Sequence, residues 1–570
     1  HGTDFSVSFD GVPLNLPSHG HGQGYLDLNA ITPEFIEVIS FRKGPYSADA
    51  GDFSSAGAAA LESFTTSPRS FAEFTAGKDS FYRVLGMARV GDASYLGGEL
   101  GFSDGPWANP ENLEKISVLG RFALGGNWSL TALAYSSQWD STDQIPVRAI
   151  DEGLIPRLGT IDPTDGGETS RYIVALRNRD MNGWDAIAYL QRYELNLWSN
   201  FTYFLDDPVN GDQFEQADER WIFGGSVAKT WDNFRAWTIS AGAQIRGDEI
   251  DGVGLYNTVA RGRINTVRQD KVSEWAGALW GEGSRAFGPV RAVLGLRADA
   301  IRVDVTSDNP MNSGDATDAL VSPKLALAWR ASDGFELYAN AGRGFHSNDA
   351  RGATATVSPK TGLPAAPVDL LSPSTGAEVG FRWDAGRSST TATAFWLRLD
   401  SELVYVGDAG ETEATNASER FGGELLFTWR PIDRIDIDLS AAATHARLLD
   451  APDADRIPNA LEYVFTGGIS ALITDELIAT LTFRLLGPAP LTEDGAIESE
   501  TAFTTNLLMR YQLGRLTFTG QILNLLNNAD NDIQYFYTSR LPGEPAQGID
   551  DFHIHPMEPR TWRLGVRITL

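Results

Sequence analysis

The chain has 570 residues, of which 75 are acidic and 46 basic, giving a formal net charge of -29 and no cysteine at all. Disulfides, thiolate metal sites and iron–sulfur clusters are thereby excluded, and a nucleic-acid partner is disfavoured because phosphate is met by basic surface. Hydrophobic residues make up 42% of the chain but are scattered, and no apolar run reaches the roughly 18 to 20 residues of a spanning helix, so a helical membrane protein is excluded too.

The chain opens on His1-Gly2-Thr3-Asp4, with no charged segment followed by an apolar one, so it is read as mature, processed or truncated. Val7-Ser8-Phe9-Asp10-Gly11-Val12-Pro13 reads as strand and turn. A Gly-rich loop, Pro17-Ser18-His19-Gly20-His21-Gly22-Gln23-Gly24-Tyr25, follows it. Next come the isoleucine-rich segment Ile31 to Ile39, the run Phe41-Arg42-Lys43-Gly44-Pro45-Tyr46-Ser47-Ala48, and the small residues Gly51 and Ala56-Gly57.

After about residue 70 the pattern becomes period-2 alternation, which marks strands with one apolar and one polar face. Ile435, Ile437, Leu439, Ala441 and Ala443 alternate with Asp436, Asp438, Ser440, Ala442 and Thr444. Trp562, Leu564, Val566, Ile568 and Leu570 alternate with Thr561, Arg563, Gly565, Arg567 and Thr569. The 58 Gly, 29 Phe, 16 Tyr and 15 Trp suit many strands joined by turns, with aromatic girdles at two lipid interfaces.

Tight turns are readable at Asp92-Ala93, Gly126-Asn127, Asn182-Gly183, Asp232-Asn233, Gly288-Pro289, Asp333-Gly334, Ala385-Gly386, Ile432-Asp433-Arg434, Thr474-Asp475-Glu476 and Gly514-Arg515. Longer polar loops lie between them, at Asp206 to Glu219, Asp251 to Lys271, Asp308 to Asp318, Ala353 to Ser372, Gly487 to Glu500 and Asn531 to Glu558. Outer-membrane barrels have short periplasmic turns and long extracellular loops. Ten turns and eleven loops predict an all-β membrane protein, a 22-stranded antiparallel transmembrane barrel.

The segments that carry this pattern resemble the TonB-dependent outer-membrane receptor family over nearly the whole chain. In the family's order stand Ser322-Pro323-Lys324-Leu325-Ala326-Leu327-Ala328-Trp329, Tyr338-Ala339-Asn340-Ala341-Gly342-Arg343-Gly344-Phe345, Glu378-Val379-Gly380-Phe381, Gly422-Gly423-Glu424, Asn524-Leu525-Leu526-Asn527 and Pro559-Arg560-Thr561. The resemblance implies that residues 1–66 are the C-terminal part of a plug domain and residues 67–570 the barrel. It implies a bacterial outer-membrane address, outer-membrane lipid around the barrel, and a TonB-type periplasmic energy-coupling partner acting through a segment absent from this sequence. An accessory lipoprotein is a further partner of such an architecture. Two departures stand out: the chain ends in Leu570 where the family usually ends in an aromatic, and Lys43 precedes Gly44-Pro45 where the family often has Arg.

By parity Glu378 and Glu424 face the lumen, and the resemblance suggests that they pair with Arg42 or Lys43 of the plug. Charged hydrogen bonds in a wet lumen suit a plug that must hold and then release. The alternative is generic lumen polarity.

The seven histidines supply the candidate ligand site. His19-x-His21 lies in the plug loop and His553-x-His555 at the end of the last outer loop, a spacing suited to a metal that imidazole binds. His346 ends a strand with lumenal parity, while His445 has lipid-side parity and reads as a surface residue. Tyr25, Arg351, Tyr535, Tyr537 and Arg540 lie on the same side, where stacking and bidentate hydrogen bonds would hold an aromatic or anionic ligand. The blander reading is that these side chains cap turns and pack loops. Asp450, Asp453 and Asp455, and separately Asp530 and Asp532, offer the oxygen chemistry of structural calcium without the spacing of a known calcium loop. No cofactor is required, and no Gly-x-Ser-x-Gly, His-Glu-x-x-His or Gly-Lys-Ser/Thr signature points to catalysis. The resemblance implies an importer of a small-molecule ligand, foremost a ferric siderophore or other metal chelate. The alternatives are a glycan, cofactor or peptide importer of the same architecture, a passive porin, and a non-transporting surface-binding barrel.

Overall fold

A computed structural model describes every residue except 1, 142, 181, 403, 407–410 and 414–415. His1, one of the seven histidines, is therefore outside the described residues. Twenty-two antiparallel strands close into a ring, from Phe71–Gly77 round to Thr561–Thr569. Closure is made by the ladder from Arg563–Gly77 to Thr569–Phe71. Among the described residues no helix is long and apolar enough to cross a membrane, and the only α-helices are the single turns Val147–Asp151 and Ala350–Thr354.

Alternation forms these strands and decides what each face meets. In Thr561–Thr569, Trp562, Leu564, Val566 and Ile568 are exposed outward, as apolar side chains against lipid must be. Trp128, Trp184, Trp231, Trp329, Trp383 and Trp429 are exposed close to the short turns, a girdle at one lipid interface.

Nine of the ten expected turns lie where the sequence put them, and the tenth moves. Strand Phe214–Phe234 continues past Asp232-Asn233 and turns at Arg235-Ala236. Asn233 takes φ 63° at a register shift instead, so a left-handed-tolerant residue serves a bulge rather than the turn. Two expected loops are also corrected. Asp251 to Lys271 is the meeting of two long strands, Trp237–Val259 and Gly262–Phe287, which turn at Ala260-Arg261. Asn531 to Glu558 contains a hairpin, Asn531–Ser539 with Ile549–Pro556, which joins Ile145–Pro146 in a separate three-stranded sheet.

The lumen holds a four-stranded sheet ordered Val12–Pro13, Phe5–Phe9, Gly57–Ser63, Ile36–Lys43. Its apolar side chains Val7, Phe9, Leu14 and Phe35 form one core with Leu85, Leu133, Ile173 and Ile187 of the barrel wall. The largest buried core thus lies between plug and wall.

Substituting Val566→Arg places a charge on the lipid face and is expected to cost about 2–4 kcal/mol near mid-bilayer, whereas Thr519→Arg on the lumenal face should fold normally. Reversible urea titration in lipid vesicles, read by heat-modifiable gel mobility, measures both.

Candidate functional site

The apex of the plug is the loop Pro17 to Tyr25. Gly22 N–H donates to the His19 carbonyl (3.1 Å), closing a turn, and His21 N–H donates to His19 Nδ1 (3.1 Å). This pair is therefore not extended. Both rings gather on Tyr25 instead, His19 stacked at 4.1 Å and His21 edge-on at 5.6 Å, with Tyr193 of the wall tilted against His19 at 5.6 Å. His21 Nδ1 meets Gln216 Oε1 at 2.7 Å. Gly20 lies so close to the wall that a Cβ there would stand 2.8 Å from the Ala217 carbonyl, so only glycine fits.

His19 is fully buried. Its Nδ1 accepts a hydrogen bond, which puts the proton of the neutral ring on Nε2; that atom has no hydrogen-bond partner, and Asp218 Oδ2 lies 3.9 Å away. Burial, reinforced by the charges of Arg220, His21, Arg351 and Arg171, holds its pKa well below the usual imidazole value.

An outer loop roofs this apex. Arg351 forks onto Asp349 (2.8 and 2.7 Å) and donates to the His19 carbonyl at 2.7 Å. His19 N–H donates to Asp349 (3.2 Å), and Ala350 N–H to Ser18 Oγ (2.8 Å). Arg351, expected to meet a ligand, is buried as a clamp.

The wall also grips the plug by its backbone. Arg177 donates to the carbonyl of Asp10 (3.2 Å), Gln191 to Pro13 (3.0 Å), Arg171 to Leu14 (3.3 Å), Arg246 to Asn15 (2.9 Å) and Arg220 to Ser18. Two of these arginines carry their own carboxylate two residues away on the same strand, Arg220 with Asp218 (2.6 Å) and Arg246 with Asp248 (2.6 Å), and so does Arg297, which donates to the Ala48 and Asp49 carbonyls and pairs with Asp299 (2.8 Å). Sequence reasoning missed this track. The available signal was the recurring Arg–x–Asp spacing on the lumenal parity of neighbouring strands.

Of the expected plug–barrel pair, Lys43 meets Glu424. Glu378 instead accepts from Asn340 (2.6 Å), and Arg42 pairs within the plug with Asp49 (2.5 Å). Other plug ion pairs were not anticipated: Glu34–Arg83 (2.6 Å), Asp10–Arg121 (3.3 Å) and Glu62–Arg179 (3.1 Å).

The remaining histidines do not join the apex. His346 Nδ1 meets Asp4 at 3.2 Å. His553 is buried in the outer hairpin, stacked on Tyr537 at 3.7 Å and 2.7 Å from Ser539 Oγ. His555 packs on Trp107 at 4.8 Å and lies 3.8 Å from Asp532. His445 is exposed beside Arg456. Tyr535 is partly exposed on the hairpin, and Arg540 donates to the carbonyls of Glu544 and Phe204. Asp530 accepts from Phe503 N–H (2.8 Å) and Asp455 accepts, through its carbonyl, from Leu448 N–H (2.7 Å). Among the described residues no group of three or more His, Cys, Asp or Glu side chains is placed to hold a metal ion.

The family model described as "TonB dependent receptor-like, beta-barrel" matches residues 53–525. No curated protein matches the sequence. Among solved structures, the ferric yersiniabactin uptake receptor FyuA from Yersinia pestis aligns over 99% of this chain and 88% of its own, at 14% identity and TM-score 0.75. The ferric citrate transporter FecA in its unliganded form aligns over 99% and 88%, at 13% identity and TM-score 0.77. The copper transporter OprC aligns over 100% and 91%, at 15% identity and TM-score 0.74.

Two outcomes test this geometry. Arg220→Met leaves Asp218 and Asp248 buried with one partner fewer and should destabilise the apex by about 3–5 kcal/mol, whereas Glu424→Gln, at a partly exposed pair, should cost less than about 1 kcal/mol; urea-dependent proteolysis of the apex loop compares them. Burial, partly opposed by the Asp551 carbonyl and carboxylate, lowers the His553 pKa to about 4. The opened hairpin binds a proton before the closed one, so stability is complete above the ordinary value of about 6.5 and is lost as pH falls toward 4, by about tenfold in open population per pH unit. Hydrogen exchange of the hairpin amides, taken relative to intrinsic rates, should show this slope in the wild type and none in His553→Phe.

Proposed function

The chain belongs to the TonB dependent receptor-like β-barrel family, and on that premise we infer that it is an outer-membrane receptor importing a scarce metal chelate, a ferric siderophore foremost. The supporting observation is the plug apex. It puts imidazole and phenol groups, half-exposed at His21 and Tyr25, beneath the outer loops of a lumen that the plug otherwise occupies. Residues 1–66 act as the plug and residues 67–570 as its barrel.

Binding from outside precedes passage, and passage requires the plug to move. The wall arginines hold plug carbonyls while keeping their own carboxylates, so withdrawing the plug breaks hydrogen bonds that water can replace and strands few charges. A TonB-type periplasmic partner supplies the work. The Lys43–Glu424 pair is one of several exchangeable contacts in this hold.

Protein extracted gently from its native membrane is expected to carry stoichiometric iron or copper with an organic chelator, by elemental and small-molecule mass spectrometry. His21→Ala with Tyr25→Ala should lose both. A sugar or peptide in place of metal would refute the chelate reading. Deleting residues 1–66 should convert a non-conducting protein into one passing large steady currents in planar bilayers; large currents in the undeleted protein would instead mark a passive pore.

A further inference from the structure

The charge of this protein is distributed unevenly across the membrane. The eleven outer connections hold 33 carboxylates against nine Lys and Arg, whereas the ten short turns hold six against four. Nearly the whole formal net charge of -29 therefore stands outside the bilayer.

Exposure sharpens the contrast. Among the described residues of the outer connections, fifteen carboxylates are exposed but only three cations, Lys78, Lys360 and Arg560. Three connections that follow one another round the ring, 449–462, 487–501 and 524–560, carry nine of those carboxylates, Asp450, Asp453, Glu493 and Asp494 among them, and one exposed cation. A mouth lined by one sign of charge concentrates ligands of the opposite sign and raises their encounter rate by about 10- to 1,000-fold at low salt.

Around the plug apex beneath that mouth the arginines are already committed. Arg171, Arg220, Arg268 and Arg351 are all fully buried. Arg220 and Arg351 fork onto Asp218 and Asp349, Arg268 meets Asp270 at 2.5 Å, and Arg171 reaches the Leu14 carbonyl beneath the Tyr193 ring. An anionic ligand is best received by accessible guanidinium forks, and the apex presents His21 and Tyr25 instead.

We propose that the cargo of this receptor is cationic: a metal chelate carrying net positive charge, gathered by the acidic outer loops and passed to the uncharged aromatic apex. The assignment rests on the metal-chelate reading above and narrows it. It also accounts for the acidic loops, which neither the fold nor the hold on the plug requires. Anionic carboxylate or catecholate chelates would be repelled at the mouth and would find the guanidinium groups around the apex already occupied.

Three ferric trihydroxamates of matched size test it, differing only in one pendant amine left as ammonium, acetylated to neutral, or succinylated to an anion. Association with the protein in lipid nanodiscs is followed by stopped-flow tryptophan fluorescence. The ammonium form is expected to bind at least about tenfold faster than the succinylated form. That ratio should collapse between about 0.01 M and about 1 M salt, as the screening length falls from about 30 Å to about 3 Å. Asp450→Asn, Asp453→Asn, Glu493→Gln and Asp494→Asn together should slow the ammonium form and leave the acetylated one unchanged. Equal or faster binding of the succinylated form, or a ratio indifferent to salt, overturns the cationic assignment and leaves the chelate reading in place. If none of the three binds, both fall.

Discussion

Hydrocarbon offers no water to replace a missing backbone hydrogen bond, so a sheet can cross a bilayer only as a closed ring. Everything else here depends on the seam where Arg563 to Thr569 pair with Gly77 to Phe71. Closure fixes the parity of all twenty-two strands, because every residue then faces either lipid or lumen. That parity sends the Arg–x–Asp pairs inward together, and it leaves the plug no surface to pack against except the wall.

The wall is not uniform, and its asymmetry positions the site. Strands Trp237–Val259 and Gly262–Phe287 run 23 and 26 residues, against 7 in Phe71–Gly77. At about 3.3 Å per residue the long pair outruns any bilayer. Arg246 and the neighbouring Arg220 hold the carbonyls of Asn15 and Ser18, and the Arg351 loop closes over the apex. Across the ring, where strands are short, a separate hairpin sheet stands above the mouth instead.

How much of this was legible follows from what each residue type records. Alternation in 561–569 or 435–443 is a direct imprint of lipid on one face, so strand number, nine turns and sidedness could be read from the sequence alone. It failed between Asp251 and Lys271 because register shifts at Ile250/Val253, Leu255/Tyr256 and Asn257/Thr258 break the alternation there. It misplaced one turn because Asp232-Asn233 has stronger turn chemistry than Arg235-Ala236. Within the site, identities were visible and partners were not: Lys43 and Glu424 do meet, yet Glu378 turns to Asn340 and Arg42 to Asp49. Both His-x-His pairs stood out as metal-like, but one folds into a turn around Tyr25 and the other is divided between Tyr537 and Trp107. Lumenal arginines were passed over because parity marks them only as polar, and their acceptors are plug carbonyls, which every residue possesses.

That last property has an evolutionary side. A guanidinium that grips a carbonyl reads where the main chain runs and is blind to which side chain it carries. The hold on the Pro13 and Leu14 carbonyls is indifferent to which side chain those positions carry, although the Leu14 side chain is held separately in the core between plug and wall. The two sides of the interface are thus free to diverge at different rates, the arginines constrained in chemistry and the plug only in shape, and paired substitutions across it should be rare among descendants of this chain.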